Sequence, residues 1–266
     1  MLEEAWSNGI DLLDTAPAYG DSEQVIADCV PTKARFAVVS KTLPLRGQYV
    51  TPADVAKVVA QVRASVETLG VSALHTLQVH EAHDLLVPGG ERLYDALAAL
   101  KAEGLVERLG VSVYDCEILA EVRARYAVDA VQLPLNVFDQ RFCRGGLLLE
   151  LAAANIEVHV RSVYLQGFLL QPPATPPKQL AAALPLAERF RAVAASLGLA
   201  PAALALAFAV HQPGVSRVVF GADSIANLRD SLSNYRKAVA WVGKADYASF
   251  AVDIPDVIDP RRWTRT

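Results

Sequence analysis

Short β-branched apolar runs recur along the chain with longer amphipathic stretches between them, and this alternation constrains the fold more than any other feature. The runs cover residues 10–14, 35–40, 74–80, 107–112, 130–134, 157–161 and 217–221. Each is continuous rather than alternating, as expected of parallel strands buried on both faces. The stretches between them include 52–69, 90–103 and 184–197, which read as helices. Strand–helix alternation without a break in composition predicts βαβ units within one domain spanning 1–266. Seven strands are predicted, and a helix-like stretch at 2–8 already precedes the first. A closed eight-stranded barrel would need one more strand ahead of Met1. The expected fold class is therefore α/β, a (β/α)8 TIM barrel whose first strand is missing from this chain.

Composition fits this expectation and excludes others. A chain of 266 residues is long enough for one barrel core. Charged residues make up 20% and the net charge is −4, so no nucleic-acid partner is expected. The longest nearly apolar stretch, 202–210, falls far short of the roughly 20 residues that span a bilayer, so no membrane partner is expected either. The chain opens Met1-Leu2-Glu3-Glu4, acidic where a secretory signal is basic. Cys29, Cys116 and Cys143 are odd in number and unpatterned, which predicts small buried hydrophobes in a reducing cytoplasm. No Cys/His pair has zinc spacing, so no metal is expected. No Gly-x-Gly-x-x-Gly occurs, so a Rossmann phosphate loop is not expected. The proline-rich segment 171–179 reads as an exposed loop, either a spacer or part of an active-site rim.

In a parallel barrel, chemistry sits at the carboxyl ends of the strands. The first predicted strand ends in Asp14, with Tyr19 five residues on. The second runs into Lys41 and the third into His80. An ammonium beside a phenol favours the phenolate and makes the phenol a better acid. Lys41 supplies that charge, Asp14 pairs with Lys41, and His80 orients a carbonyl oxygen beside the phenol. Taken singly, each residue is weak evidence: a lone strand-end Lys is more often solvated, a lone His more often structural or exposed, Asp14-Thr15 also reads as a cap and Tyr19-Gly20 as a turn. The joint arrival of all four at one rim is the informative feature.

At these residues the sequence resembles the aldo-keto reductase family. Segment 9–23 (GIDLLDTAPAYGDSE) is similar to the family signature that carries its catalytic Asp and Tyr, Ser40-Lys41 to the strand end with its Lys, and Val79-His80-Glu81 to the strand end with its His. The resemblance implies a catalytic tetrad of Asp14, Tyr19, Lys41 and His80. Segment 101–112 resembles the family strand whose Ser and following Asn hold the nicotinamide carboxamide. Here Ser112 is present and Val113 stands in place of the Asn. Segment 131–136 resembles the strand whose Gln also touches the carboxamide, which implies that role for Gln132. Segment 161–167 is similar to the strand and loop around the cofactor, implying contacts from Arg161, Ser162 and Leu165, with the Arg161 guanidinium where many members stack an aromatic ring. Segment 218–228 resembles the site for the adenosine phosphate, implying Gly221, Ala222, Ser224 and Asn227, with Ser224 as helix cap.

What the resemblance implies is an NAD(P)H-dependent oxidoreductase that reduces an aldehyde or ketone, with Tyr19 as general acid. The family cofactor is NADPH. The 221–227 loop holds Asp223 and no Lys or Arg, which leaves NADH open. The run 161–170 resembles a bacterial branch often linked to sugar metabolism, implying a small-molecule, sugar-like carbonyl substrate. Two alternatives stand beside this reading: a catalytically silent barrel serving as a binding or regulatory subunit, and a barrel lyase or isomerase using Lys41 as a Schiff base.

Overall fold

The computed structural model describes residues 1–29, 36–171 and 176–264. The first residue of the predicted strand 35–40, positions 172–175 of the proline-rich segment and the last two residues of the chain lie outside the described residues. The packing divides into two compact units, Met1–Gln132 and Leu133–Thr266. Seven strands follow one another in one sheet in chain order, β1 to β7. They are β1 (Leu12–Asp14), β2 (Ala37–Lys41), β3 (Leu74–Val79), β4 (Val106–Ser112), β5 (Ala130–Pro134), β6 (Glu157–Arg161) and β7 (Arg217–Val218). Consecutive order with parallel pairing is the arrangement of a (β/α)8 barrel, here with seven strands among the described residues.

In the first unit the strands alternate with α1 (Leu2–Ser7), α2 (Ser22–Cys29), α3 (Pro52–Leu69), α4 (Gly90–Ala102) and α5 (Cys116–Arg125). The boundaries of α3 follow from its sequence. Thr51 and Asp54 form a reciprocal capping box, Pro52 occupies the first turn, and Gly70 closes the helix at φ 61° in the left-handed region. The helix buries Val58, Val62, Val66 and Leu69, one stripe at helical spacing, and also Ser65.

Register decides which side chains meet. Asp14 pairs with Val39, Lys41 with Gln78, Gln78 with Gly110, and Ser112 with Gln132. Paired residues in a parallel sheet share a face, as do residues two apart in one strand. Asp14, Lys41, Gln78, Ser112 and Gln132 therefore lie on one face, and Ser40 lies on the other.

The second unit holds α6 (Leu147–Ala153), α7 (Leu184–Ser196), α8 (Pro201–Val210), α9 (Ile225–Ala240) and α10 (Pro255–Ile258). Helix α8 is buried on every side from Ala202 to Ala209, which explains its unbroken apolarity. No single described helix is long and apolar enough to cross a membrane.

The predicted strands recur with adjusted ends. The first begins at Leu12 rather than at residue 10, because Gly9 turns the chain at φ 83° just before it. The third stops at Val79, leaving His80 just beyond the ladder. The last is two residues long, not the expected 217–221. The cysteines depart further from expectation. Cys29 is exposed, and Cys116 and Cys143 are half-buried. Burial, with Asp139 nearby, pushes the Cys143 thiol up to about 11, so it is protonated at neutral pH.

Candidate active site

The site in the first unit is built from strand ends outward. Lys41 closes β2 and is 1% exposed. Its Nζ donates to Asp14 Oδ1 at 2.6 Å and to the Thr15 carbonyl at 3.1 Å. A buried ammonium needs such partners to stay charged. The other oxygen of the carboxylate, Asp14 Oδ2, accepts from Gln132 Nε2 at 2.7 Å. Gln132 therefore braces the acid–ammonium pair, and its amide nitrogen is already engaged with Asp14.

Tyr19 lies on the loop between β1 and α2, 48% exposed. Its ring sits with Lys41 Nζ 5.1 Å from the centroid and meets the His80 ring edge-on at 5.9 Å. The structure thus gathers all four predicted catalytic residues: a buried ammonium paired with a half-buried carboxylate below, a phenol over the ammonium, an imidazole beside it. Phenol and imidazole reach the surface while the charges that act on them stay covered. Low dielectric around the pair strengthens its field at the phenol.

Ser112 ends β4 and is buried beside Gln132. Val113 is buried and apolar, and its backbone N–H donates to the Gln132 carbonyl at 2.9 Å. It offers no side-chain hydrogen bond of the kind an Asn would.

Three buried polar residues of this unit escaped the sequence reading of the site. Glu23 receives hydrogen bonds from Ser40 and Ser65. Asp84 accepts from the backbone N–H groups of Leu45 at 2.8 Å and Arg46 at 2.9 Å, holding the loop that leaves Lys41. Burial pushes the Asp84 carboxyl up from its ordinary 3.8, against the pull of those bonds. Gln78 is fully buried, with neither amide atom hydrogen-bonded. Polar residues inside a strand are the available signal for Gln78. A Glu at a helix start and an Asp in a turn read as solvated, so Glu23 and Asp84 gave none.

In the second unit the candidate residues form two backbone-built features. After β6, Ser162, Leu165, Gln166 and Gly167 all adopt positive φ, at 59°, 47°, 54° and 85°. Left-handed non-glycine residues in a cluster store strain and concentrate at functional loops. Asn136, buried, tethers this loop: its Nδ2 donates to the Ser162 carbonyl at 3.1 Å while its Oδ1 caps Phe138 and Asp139. Leu165 N–H closes a turn onto the Ser162 carbonyl at 2.9 Å. Arg161, half-buried, stands at the entry of the loop.

The second feature is the start of α9. Ser224 is its N-cap, accepting from Asn227 N–H at 3.1 Å. Gly221 is exposed with open space around it, and Ala222 is half-buried. A long helix with a small-residue approach to its N-terminus is a fitting anion site. Asn227 turns its amide onto Asp223, so the acidic side chain is held at the entrance.

Within the second unit, the α9 start offers N–H groups and an open glycine that fit a phosphate. Within the first unit, Ser112 and Gln132 near Asp14 fit an amide-bearing group. Among the described residues, no group of His, Cys, Asp and Glu could hold a metal ion.

The model of the aldo/keto reductase family matches residues 1–239. The aldo-keto reductase YhdN of Bacillus subtilis is 29% identical over 146 residues, 52% of this chain and 44% of its own length, so the match spans less than half of that relative. Pyridoxine 4-dehydrogenase of Escherichia coli is 24% identical over 246 residues, covering 88% of this chain and 79% of that enzyme. Among solved structures, the apo aldo-keto reductase AKR11C1 of Bacillus halodurans superposes with a TM-score of 0.73 at 19% identity, over 98% of this chain and 88% of that one. The structural likeness shows the fold.

Proposed function

The chain belongs to the aldo/keto reductase family, and we propose that it is an oxidoreductase reducing an aldehyde or ketone to an alcohol with Tyr19 as the general acid. The observation that carries this reading is the buried Lys41 ammonium, paired with Asp14, lying beneath the Tyr19 ring beside His80. A bound reduced nicotinamide dinucleotide supplies the hydride. His80 and the Tyr19 hydroxyl bracket the carbonyl oxygen and hold it in one orientation. As negative charge develops on that oxygen, the Tyr19 hydroxyl donates its proton to it. The phenolate left behind is stabilised by the Lys41 ammonium, which Asp14 and the Thr15 carbonyl keep in place. Tyr19 is exposed enough to regain its proton from water after product leaves.

By the family resemblance, Ser112 and Gln132 would hold the nicotinamide carboxamide, and Arg161, Ser162 and Leu165 a further part of the cofactor. Gly221, Ala222, Ser224 and Asn227 would hold the adenosine phosphate. The cofactor is NADPH by the family resemblance. The carboxylate of Asp223 beside Asn227 is the feature that opens the site to NADH, since it repels a 2′-phosphate. The substrate is a small carbonyl compound, sugar-like by the resemblance of the segment 161–170. The test is a panel of aldehydes, ketones and sugars turned over with each reduced cofactor and followed by nicotinamide absorbance. Oxidation of the cofactor dependent on carbonyl supports the reading. Absence of both binding and turnover overturns it in favour of a silent barrel.

A further inference from the structure

Tyr19 is carried by a surface loop, yet its ring must stay within reach of Lys41 and His80. The loop spans from Asp14 at the end of β1 to Ser22 at the start of α2. Ser40 and Lys41, neighbours in β2 with side chains on opposite faces of the sheet, grip its two ends. On the inner face, Lys41 holds Asp14 and the Thr15 carbonyl. On the outer face, Ser40 Oγ donates to Glu23 Oε1 at 2.6 Å. The second oxygen, Glu23 Oε2, accepts from Ser65 Oγ of α3 at 2.8 Å. Gln61 continues the chain of contacts, donating from Nε2 to Ser65 Oγ at 2.8 Å and accepting from Leu43 N–H at 3.2 Å. Within the loop, the Thr15 and Ser22 hydroxyls are 2.8 Å apart and close its base.

Glu23 is 9% exposed, and its carboxylate accepts from two hydroxyls. A carboxylate is a costly group to bury where an apolar side chain would pack. Its two oxygens spaced to accept from two elements at once are what a strap between β2, α3 and the Tyr19 loop needs. We propose that Glu23 is a positioning residue for Tyr19: through Ser40 and Ser65 it fixes the far end of the loop, and so holds the phenol at the working distance from the Lys41 ammonium and the His80 ring. This rests on the reading of Tyr19 as the acid.

Glu23→Gln keeps the shape and replaces one acceptor oxygen with a donor, so one of the two hydroxyl bonds must break or turn. Two readouts are taken on this variant and on Ser40→Ala, which removes the strand end of the strap and serves if the first variant folds poorly. Crystal structures are expected to show the Tyr19–His80 centroid separation and the Lys41–Tyr19 separation lengthened from 5.9 and 5.1 Å. Kinetics are expected to show kcat lowered about 10- to 100-fold, the cost of a misplacement near 1 Å, with cofactor Kd unchanged. A role in general stability would instead lower the melting temperature and leave kcat per folded molecule intact. Unmoved separations, or an unmoved kcat in a wild-type-active enzyme, overturn the proposal. An inactive wild type overturns the functional reading, while the crystallographic readout still decides the positioning claim.

Discussion

The two compact units build their candidate sites in different currencies. In Met1–Gln132 the site consists of side chains: an ammonium, two carboxylate oxygens, a phenol and an imidazole, fixed at strand ends by parallel register. In Leu133–Thr266 it consists of backbone: the left-handed residues Ser162, Leu165, Gln166 and Gly167 and the N–H groups that open α9. Proton transfer needs particular atoms at particular distances, so it demands charged residue types. Holding a phosphate needs oriented N–H groups, which many sequences supply. One consequence is that substitutions should cost far more in the first unit than in the second.

The largest expected effect is Lys41→Met. It strands the Asp14 carboxylate with Gln132 as its remaining described side-chain partner, and leaving a buried charge uncompensated costs about 3–5 kcal/mol. Urea unfolding should show that loss, and carbonyl reduction should disappear. A stability change near zero would break the contrast at its strongest point. In the second unit, Asp223→Ser should change ligand preference rather than folding. Removing the carboxylate beside Asn227 is expected to raise the NADPH-to-NADH affinity ratio by about tenfold, or ~1.4 kcal/mol, read by cofactor titration. Ser224→Ala should cost about 1 kcal/mol as the α9 cap is lost, with a few-fold rise in cofactor Kd.

A smaller and sharper comparison uses two buried aspartates. Burial raises the Asp84 carboxyl above its ordinary 3.8. Burial also acts upward on Asp259, but the hydrogen bonds and charge of Arg261, with Arg262, outweigh it and leave the group below 3.8. The signs are therefore opposite. Ionised Asp84 is disfavoured in the fold, so its contribution is present below pH 3.8 and is lost as pH rises through its folded value. Asp259 contributes above pH 3.8 and loses that contribution as pH falls through its folded value. Relative to wild type, Asp84→Asn should gain stability as pH rises above 3.8, and Asp259→Asn should lose it as pH climbs towards 3.8. Parallel trends in the two unfolding series would contradict these environments.

What could be read in advance follows the same division. Strands buried on both faces announce themselves as continuous apolar runs, which is why β5 and β6 fall where expected and β3 ends only one residue short. The short β7 does not, because Val219 and Phe220 are as apolar as strand residues and yet lie beyond its end at Val218. Asp14 and Lys41 were legible because each ends a strand, His80 because it directly follows one, and the signature around Tyr19 placed the phenol among them. The contact of Gln132 with Asp14 was not, since it joins residues 118 apart and reflects register alone. Nor was the burial of Glu23, because an acid in the first turn of a helix reads as a solvated charge favoured by the dipole. The cysteines were misjudged for the converse reason: Cys29 sits on the exposed side of α2, where composition has no say.

The central claim is that the first unit makes a general acid of Tyr19, and Tyr19→Phe tests it most directly. The variant removes one oxygen from a half-exposed ring, so melting temperature and cofactor Kd should stay at wild-type values. Single-turnover reduction of the best carbonyl substrate should slow by about 10²- to 10⁴-fold. A Tyr19→Phe enzyme that reduces its substrate at the wild-type rate would contradict the account.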